Sequence, residues 1–300
     1  MAQEDHGVNP GVKIIPIGYD YGHYQNFRTT LFVNVGKPIE VSEYFQAYQE
    51  NPVLAINTLK ERYAVEIRKL MIDIQTEEYY ETYMALRTIF NDEMRRRLGI
   101  ADDSLAARFK ADKVMIDLLD RELASSPDSI KALDKLVRDY QQRLKRAGLR
   151  DWVLGKRQYS IPGLLLGMFW KVLLLPVFLM GLINNYIPYR FTETRIRGLK
   201  DPQFHSSFKY VIGMIAFPLY YLVLVVLICF VPLPGWMKWS YILLMPATGL
   251  LAFHYYIGLK KLRSRIRYTL GVLRKKPEIL EMTDLRRRIL ERMLDLTSSQ

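Results

Sequence analysis

Four histidines, His6, His23, His205 and His254, are the side chains of this 300-residue sequence best suited to moving a proton near neutral pH. A histidine base needs an acid to orient its ring, and a tight local pairing would place that acid five residues on. Those positions hold Gly11, Arg28, Tyr210 and Leu259. His254 lies in an apolar segment, where a structural role is the commoner one, and His23 lies in a loop where it could touch a lipid headgroup. The single cysteine, Cys229, sits inside an apolar run and offers neither an intrachain disulfide nor a zinc cluster. No HExxH, Walker A, GxSxG or GxGxxG pattern occurs, so no cofactor and no metal is expected.

The elements around these residues begin with two β-rich runs, KIIPIGYDY over residues 13–21 and TLFVNV over residues 30–35, joined by GHYQNF. Pro16 would cost a central strand one ladder bond, so the strand is expected either at an edge or with a departure there. Gly36-Lys37-Pro38 ends the second run, and two strands alone make no stable sheet. From residue 42 to 150 the pattern is helical. Helices are expected at about 53–74, 77–98 and 105–123, and a fourth has Ser126 as cap, Pro127 and Asp128 in its first turn and Gly148 after its end. Ile130, Leu133, Leu136, Val137, Tyr140 and Leu144 form one stripe on it, which suits packing on other helices.

Mean hydropathy is −0.04, but it hides a split. Residues 161–259 concentrate apolar runs too long for an ordinary core, and a bilayer helix needs about 20 apolar residues to cross roughly 30 Å of hydrocarbon. Three runs qualify: 161–187, interrupted by Lys171 and Pro176; 211–233, free of charge; and 240–257, shorter, with PGWMKW before it. Basic residues flank the first run on both sides and follow the third, whereas the loop between the second and third carries only Lys238. Positive-inside counting therefore favours two crossings, by the second and third runs, with the first re-entrant or interfacial and the N-terminus cytoplasmic. A charge at mid-bilayer is costly, and a shallow first run spares Lys171 that cost; an ordinary spanning helix with Lys171 facing a neighbour is the alternative. The net charge of +12 is assigned to this orientation and to headgroups, not to nucleic acid. The tail is expected to form a short amphipathic helix opening at Thr283 and Asp284, with Arg286-Arg287-Arg288 either solvated or drawn to anionic headgroups. The first residues, MAQEDHGVNPGVK, lack the basic start and apolar run of a secretory signal.

The stretch VKIIPIGYDYGHYQNFRTTLFVNVGKPIEV is similar to the last conserved block of the glycerophospholipid acyltransferases of the 1-acylglycerol-3-phosphate acyltransferase type. The resemblance rests on an apolar strand with proline and glycine, Ile15-Pro16-Ile17-Gly18, and a second strand ending in Gly36-Lys37-Pro38. INNYIPYRF, GLKDPQFHSSFKY and the apolar C-terminal half resemble the long bacterial members, which carry a helical insertion and a membrane extension. The family moves an acyl group from acyl-CoA or acyl carrier protein to a glycerol-phosphate hydroxyl, with a histidine base and its aspartate at HxxxxD spacing and an EGTR-like block for the phosphate. The sequence contains none of these blocks. The resemblance therefore implies that Pro16 and Gly18 shape the cleft wall, that no catalytic residue lies here, and that the chemistry is upstream of Met1. The chain is expected to be a truncated gene model or fragment, with a stand-alone derivative serving a separate catalytic chain as the alternative.

The expected fold is thus a mainly α membrane protein: a short β-hairpin remnant of an α/β acyltransferase domain at residues 1–45, a cytoplasmic helical module at 46–150, a membrane region at 160–258 containing a transmembrane hairpin, and a basic amphipathic tail at 259–300. Membrane lipids are the expected partners, acyl-CoA or acyl carrier protein the possible donor, and the bacterial inner membrane the expected location. The rival reading is a non-enzymatic membrane tether whose helices bind a partner.

Overall fold

The computed structural model describes residues 11–22, 30–155, 159–198, 201 and 204–298. Helix accounts for 78% of it, in eleven helices, with two small two-stranded sheets. His6, His23 and most of the expected GHYQNF turn lie outside the described residues. Internal contacts divide the chain into two units, one of residues 1–23, 29–137 and 289–300, the other of residues 24–28 and 138–288.

The first unit opens with four strands, β1 (Lys13–Ile14), β2 (Ile17–Tyr21), β3 (Leu31–Val35) and β4 (Ile39–Glu40). β2 pairs antiparallel with β3, and β1 with β4. The two ladders are one ribbon interrupted by a bulge: between the pairs Ile14↔Ile39 and Ile17↔Val35, two residues on one side face three on the other. Pro16 sits at that interruption, where its missing N–H costs nothing, and its carbonyl accepts from Gly36 N at 2.9 Å.

Five helices follow: α1 (Phe45–Glu50), α2 (Pro52–Leu70), α3 (Tyr80–Arg97), α4 (Leu105–Ser125) and α5 (Pro127–Ala147), the last belonging to this unit only as far as Val137. Asn51 Oδ1 accepts from Leu54 N to cap α2, Ser104 Oγ accepts from Ala107 N to cap α4, and Gly99 follows α3 at φ +67°. α2 was expected to reach residue 74 but ends at Leu70. Lys113, from α4, donates to the carbonyls of Arg68 and Met71, and Met71 is extended, so a tertiary cap stops the helix. The core of this unit is Tyr83, Leu86 and Phe90 of α3, Ala111, Met115 and Leu119 of α4, and Ile130, Leu133 and Val137 of α5.

The second unit contains α6 (Asp151–Leu154), α7 (Ile161–Leu173), α8 (Leu175–Ile196), α9 (His205–Cys229), α10 (Gly235–Leu273) and most of α11 (Pro277–Ser298). α7 and α8 bend by 53° at the expected break before Pro176. α9 and α10 are long and apolar enough to cross a membrane, and the bent pair would make a third such segment. The 39 residues of α10 run far beyond the expected 240–257, because its basic outer half keeps the helical hydrogen-bond pattern once the apolar residues end. α11 starts at Pro277, not at Thr283; Thr283 Oγ1 bonds the Ile279 carbonyl inside the helix, so it caps nothing.

Within the second unit α8 packs on both α9 and α10. Gly181 permits the α8–α10 approach, since a Cβ there would lie 2.2 Å from the Thr248 carbonyl oxygen. Asn184 accepts from the Tyr241 hydroxyl at 2.8 Å and Asn185 from the Tyr221 hydroxyl, so the asparagines that were expected only to close the first apolar run tie three helices together.

Candidate functional site

The hairpin carries the two residues singled out by resemblance, and it presents two unlike faces. Alternation along β2 and β3 sends Gly18 and Asp20 inward and Ile17, Tyr19 and Tyr21 outward, with Leu31, Val33 and Val35 opposite them. Pro16 and Gly18 are buried under the end of α2: a Cβ on Gly18 would lie 2.1 Å from the Leu70 carbonyl oxygen, and one on Gly36 would meet the Leu70 side chain and Pro16. Gly18 therefore serves the docking of hairpin on helix, and Pro16 packs beside Gly36 at the bulge.

Beside that contact lies a groove of about 740 Å³ between the ribbon and α2, bordered by Gly36, Lys37, Pro38, Arg62, Glu66 and Lys69. Neither Pro16 nor Gly18 lines it. Lys69 donates to Glu66 at 2.9 Å, and this hydrogen bond holds the Glu66 carboxyl below its ordinary value. Arg62 lies 3.6 Å from the same carboxylate. The groove offers mixed charge and no base–acid pair.

The other inward residue of β2, Asp20, ends a polar network the sequence did not reveal. Arg87 on α3 donates to Asp20 at 2.8 Å and to Asp112 on α4 at 2.9 Å, and Asn91 donates to Asp112 at 2.6 Å. Burial raises the Asp112 carboxyl above its ordinary value although Arg87 and Asn91 pull the other way. For Arg87, burial opposes the charge, but the two aspartates outweigh it and raise its pKa. The sequence separation of these partners leaves no local signal for the network.

A second cluster, wholly within the second unit, joins Tyr140, Asp151 and Arg286. Tyr140 donates to Asp151 at 2.7 Å, and Arg286 grips the same carboxylate with Nε at 2.8 Å and Nη2 at 3.3 Å. Burial, with Asp151 adding to it, pushes the Tyr140 hydroxyl well above its ordinary range. The basic run Arg286-Arg287-Arg288, weighed above as a headgroup contact, is thus engaged with acids: Arg287 and Arg288 both reach Asp284.

In the apolar region Lys171 donates to the Tyr255 carbonyl at 3.2 Å and lies 4.3 Å from the centre of the Tyr255 ring, whose hydroxyl donates back to the Lys171 carbonyl at 2.7 Å. His254 contacts the Leu250 carbonyl of its own helix, the satisfied structural arrangement. Among the described residues no group of three His, Cys, Asp or Glu side chains could hold a metal ion. No protein family, curated protein or solved structure matches the chain.

Proposed function

We propose that this chain is the membrane-anchored, C-terminal part of a glycerophospholipid acyltransferase, working in the bacterial inner membrane with its soluble parts cytoplasmic. In this reading acyl-CoA or acyl carrier protein donates the acyl group, lysophosphatidate or glycerol 3-phosphate accepts it, and the His/Asp pair comes from a segment outside these 300 residues. The observation that carries it is the outward face of the ribbon. Ile17, Tyr19, Tyr21, Leu31, Val33 and Val35 are 37% to 61% exposed, in three directly opposed cross-strand pairs. A two-stranded ribbon is marginal by itself, and six apolar side chains in one plane match a sheet layer awaiting its other half. This is the stretch that carries the Ile15-Pro16-Ile17-Gly18 and Gly36-Lys37-Pro38 resemblance.

The membrane reading has its own support. Phe178, near the start of α8, stacks on Tyr255, and Glu193, near its end, pairs with Lys209; both partners are remote from the loop at residues 230–234 that joins α9 to α10. The middle of α8, at Asn184 and Asn185, reaches residues closer to that loop. The 53° break between α7 and α8 suits a segment that enters and leaves on one side, and the basic flanks at both ends of the run agree with it.

The test is acyl transfer onto lysophosphatidic acid in membranes that carry this chain or the longest in-frame product containing it. Transfer by the longer product alone is the expected result. Activity in the short chain would place a base here and overturn the division of labour. Inactivity of both would leave the tether reading.

A further inference from the structure

Among the described residues no carboxylate pairs with Arg265, on the basic part of α10. The Arg265 guanidinium carbon lies 5.5 Å from the Trp152 ring centre and 5.4 Å from that of Tyr159. Its Nε is shielded from solvent without a hydrogen-bond acceptor, and Thr269 Oγ1, one turn along the same helix, is also buried and unbonded. Five acids of this unit pair with other cations: Asp151 with Arg286, Glu281 and Asp139 with Arg143, Glu193 with Lys209, Asp284 with Arg287 and Arg288. Aromatic faces stabilise a cation from above and below, but the planar fork of donors at the guanidinium edge is suited to a carboxylate or phosphate.

Two helices fix the depth of this site. Leu262 of α10 packs at the position of Gly167, and Lys171 of α7 reaches back to Tyr255, so α7 and α10 run antiparallel. Arg265 therefore stands near Tyr159, just before the apolar start of α7 at Ile161. From Lys260 to Lys276 the chain has eight basic and no acidic residues. An aromatic pair and an arginine without a carboxylate partner at the boundary of apolar helices match the headgroup layer of a bilayer.

We propose that Arg265, held between Trp152 and Tyr159 with Thr269 beside it, binds the phosphate of an anionic phospholipid headgroup. The inference rests on the membrane placement proposed above and is independent of acyl transfer. The full chain, purified in mild detergent, would be melted with increasing dioctanoyl phosphatidylglycerol, with dioctanoyl phosphatidylcholine, and with inorganic phosphate. Phosphatidylglycerol alone is expected to raise the Tm. Arg265→Gln is expected to weaken its apparent affinity by about tenfold or more, the loss of a charge-assisted contact, with Arg265→Lys retaining part of the effect. Thr269→Val, a near-isosteric change, weakens it too and decides the matter should Arg265→Gln fail to fold. Undiminished phosphatidylglycerol affinity in Thr269→Val and in every Arg265 variant that folds overturns the proposal, as does an equal response to phosphatidylcholine. An equal response to inorganic phosphate would make this a soluble-anion site and overturns the lipid assignment. Release of the chain from membranes by alkaline carbonate would instead refute the membrane placement.

Discussion

Arg87 is the single cation between two partly buried carboxylates, and its removal leaves both without it. Arg87→Ala is expected to cost about 3–5 kcal/mol, read as a fall in thermal or urea stability, whereas Arg96→Ala, whose side chain is 73% exposed, costs about 0–1 kcal/mol. Asp102 offers a pH test. Its hydrogen bonds with Ser104, which caps α4, hold its carboxyl below the ordinary value. A depressed folded-state pKa gives stability that is present above the unfolded value and lost as pH falls through the folded one. Amide protection in the first turn of α4 is therefore expected to drop below about pH 3.8, and Ser104→Ala, which removes the hydroxyl contact and keeps the backbone one, is expected to weaken that dependence, as hydrogen-exchange protection factors would show. Neither Arg87 nor Asp20 was legible as a site residue in the sequence, because their pairing is made by the fold. Pro16 was legible as an interruption, because a proline cannot donate to a ladder wherever it lies.

Helix types were readable from spacing, and so were the ends of α5 from Pro127 and Gly148, but the ends of α2 and α10 were not. The stop of α2 at Leu70 depends on Lys113 from another helix, and α10 continues through Lys260 and Lys261 because charge ends a membrane span without ending a helix. α7 and α8 were legible as a broken element, since Pro176 and Lys171 lie within the run itself. The close approach of α8 to α10 depends on Gly181. Gly181→Val is expected to force these helices apart, with a Tm drop in detergent of several degrees, corresponding to about 1–3 kcal/mol of overpacking, and Gly213→Val, with only Phe217 at 4.0 Å, is the control with little effect. Gly18→Ala is the equivalent change in the hairpin. Its Cβ would meet backbone, which cannot swing aside, so proteolysis within residues 11–40 is expected to accelerate.

For the whole molecule, the topology reading predicts which positions a membrane-impermeant thiol reagent reaches. In a Cys229→Ser background, Trp239→Cys in intact cells is expected to label from outside, and Thr194→Cys only after lysis; Thr194 is chosen because neighbouring Thr192 is buried. Labelling of Thr194→Cys in intact cells would show that α7 and α8 cross the bilayer. One further consequence follows from the length of α10. At 1.5 Å per residue its 39 residues extend about 58 Å, roughly twice the hydrocarbon thickness, so on the proposed membrane placement one helix runs from the bilayer interior well beyond its surface. A rod that tilts to match a thinner bilayer swings its outer end, and the residues between Ile257 and Leu273, about 24 Å of helix, would move by about 4 Å for a tilt of about 10°. On that placement bilayer thickness is expected to act as a mechanical input to the outer end of α10, where Arg267 holds the Ala147 carbonyl, and distances between spin labels at that end in thin and thick bilayers would register the swing.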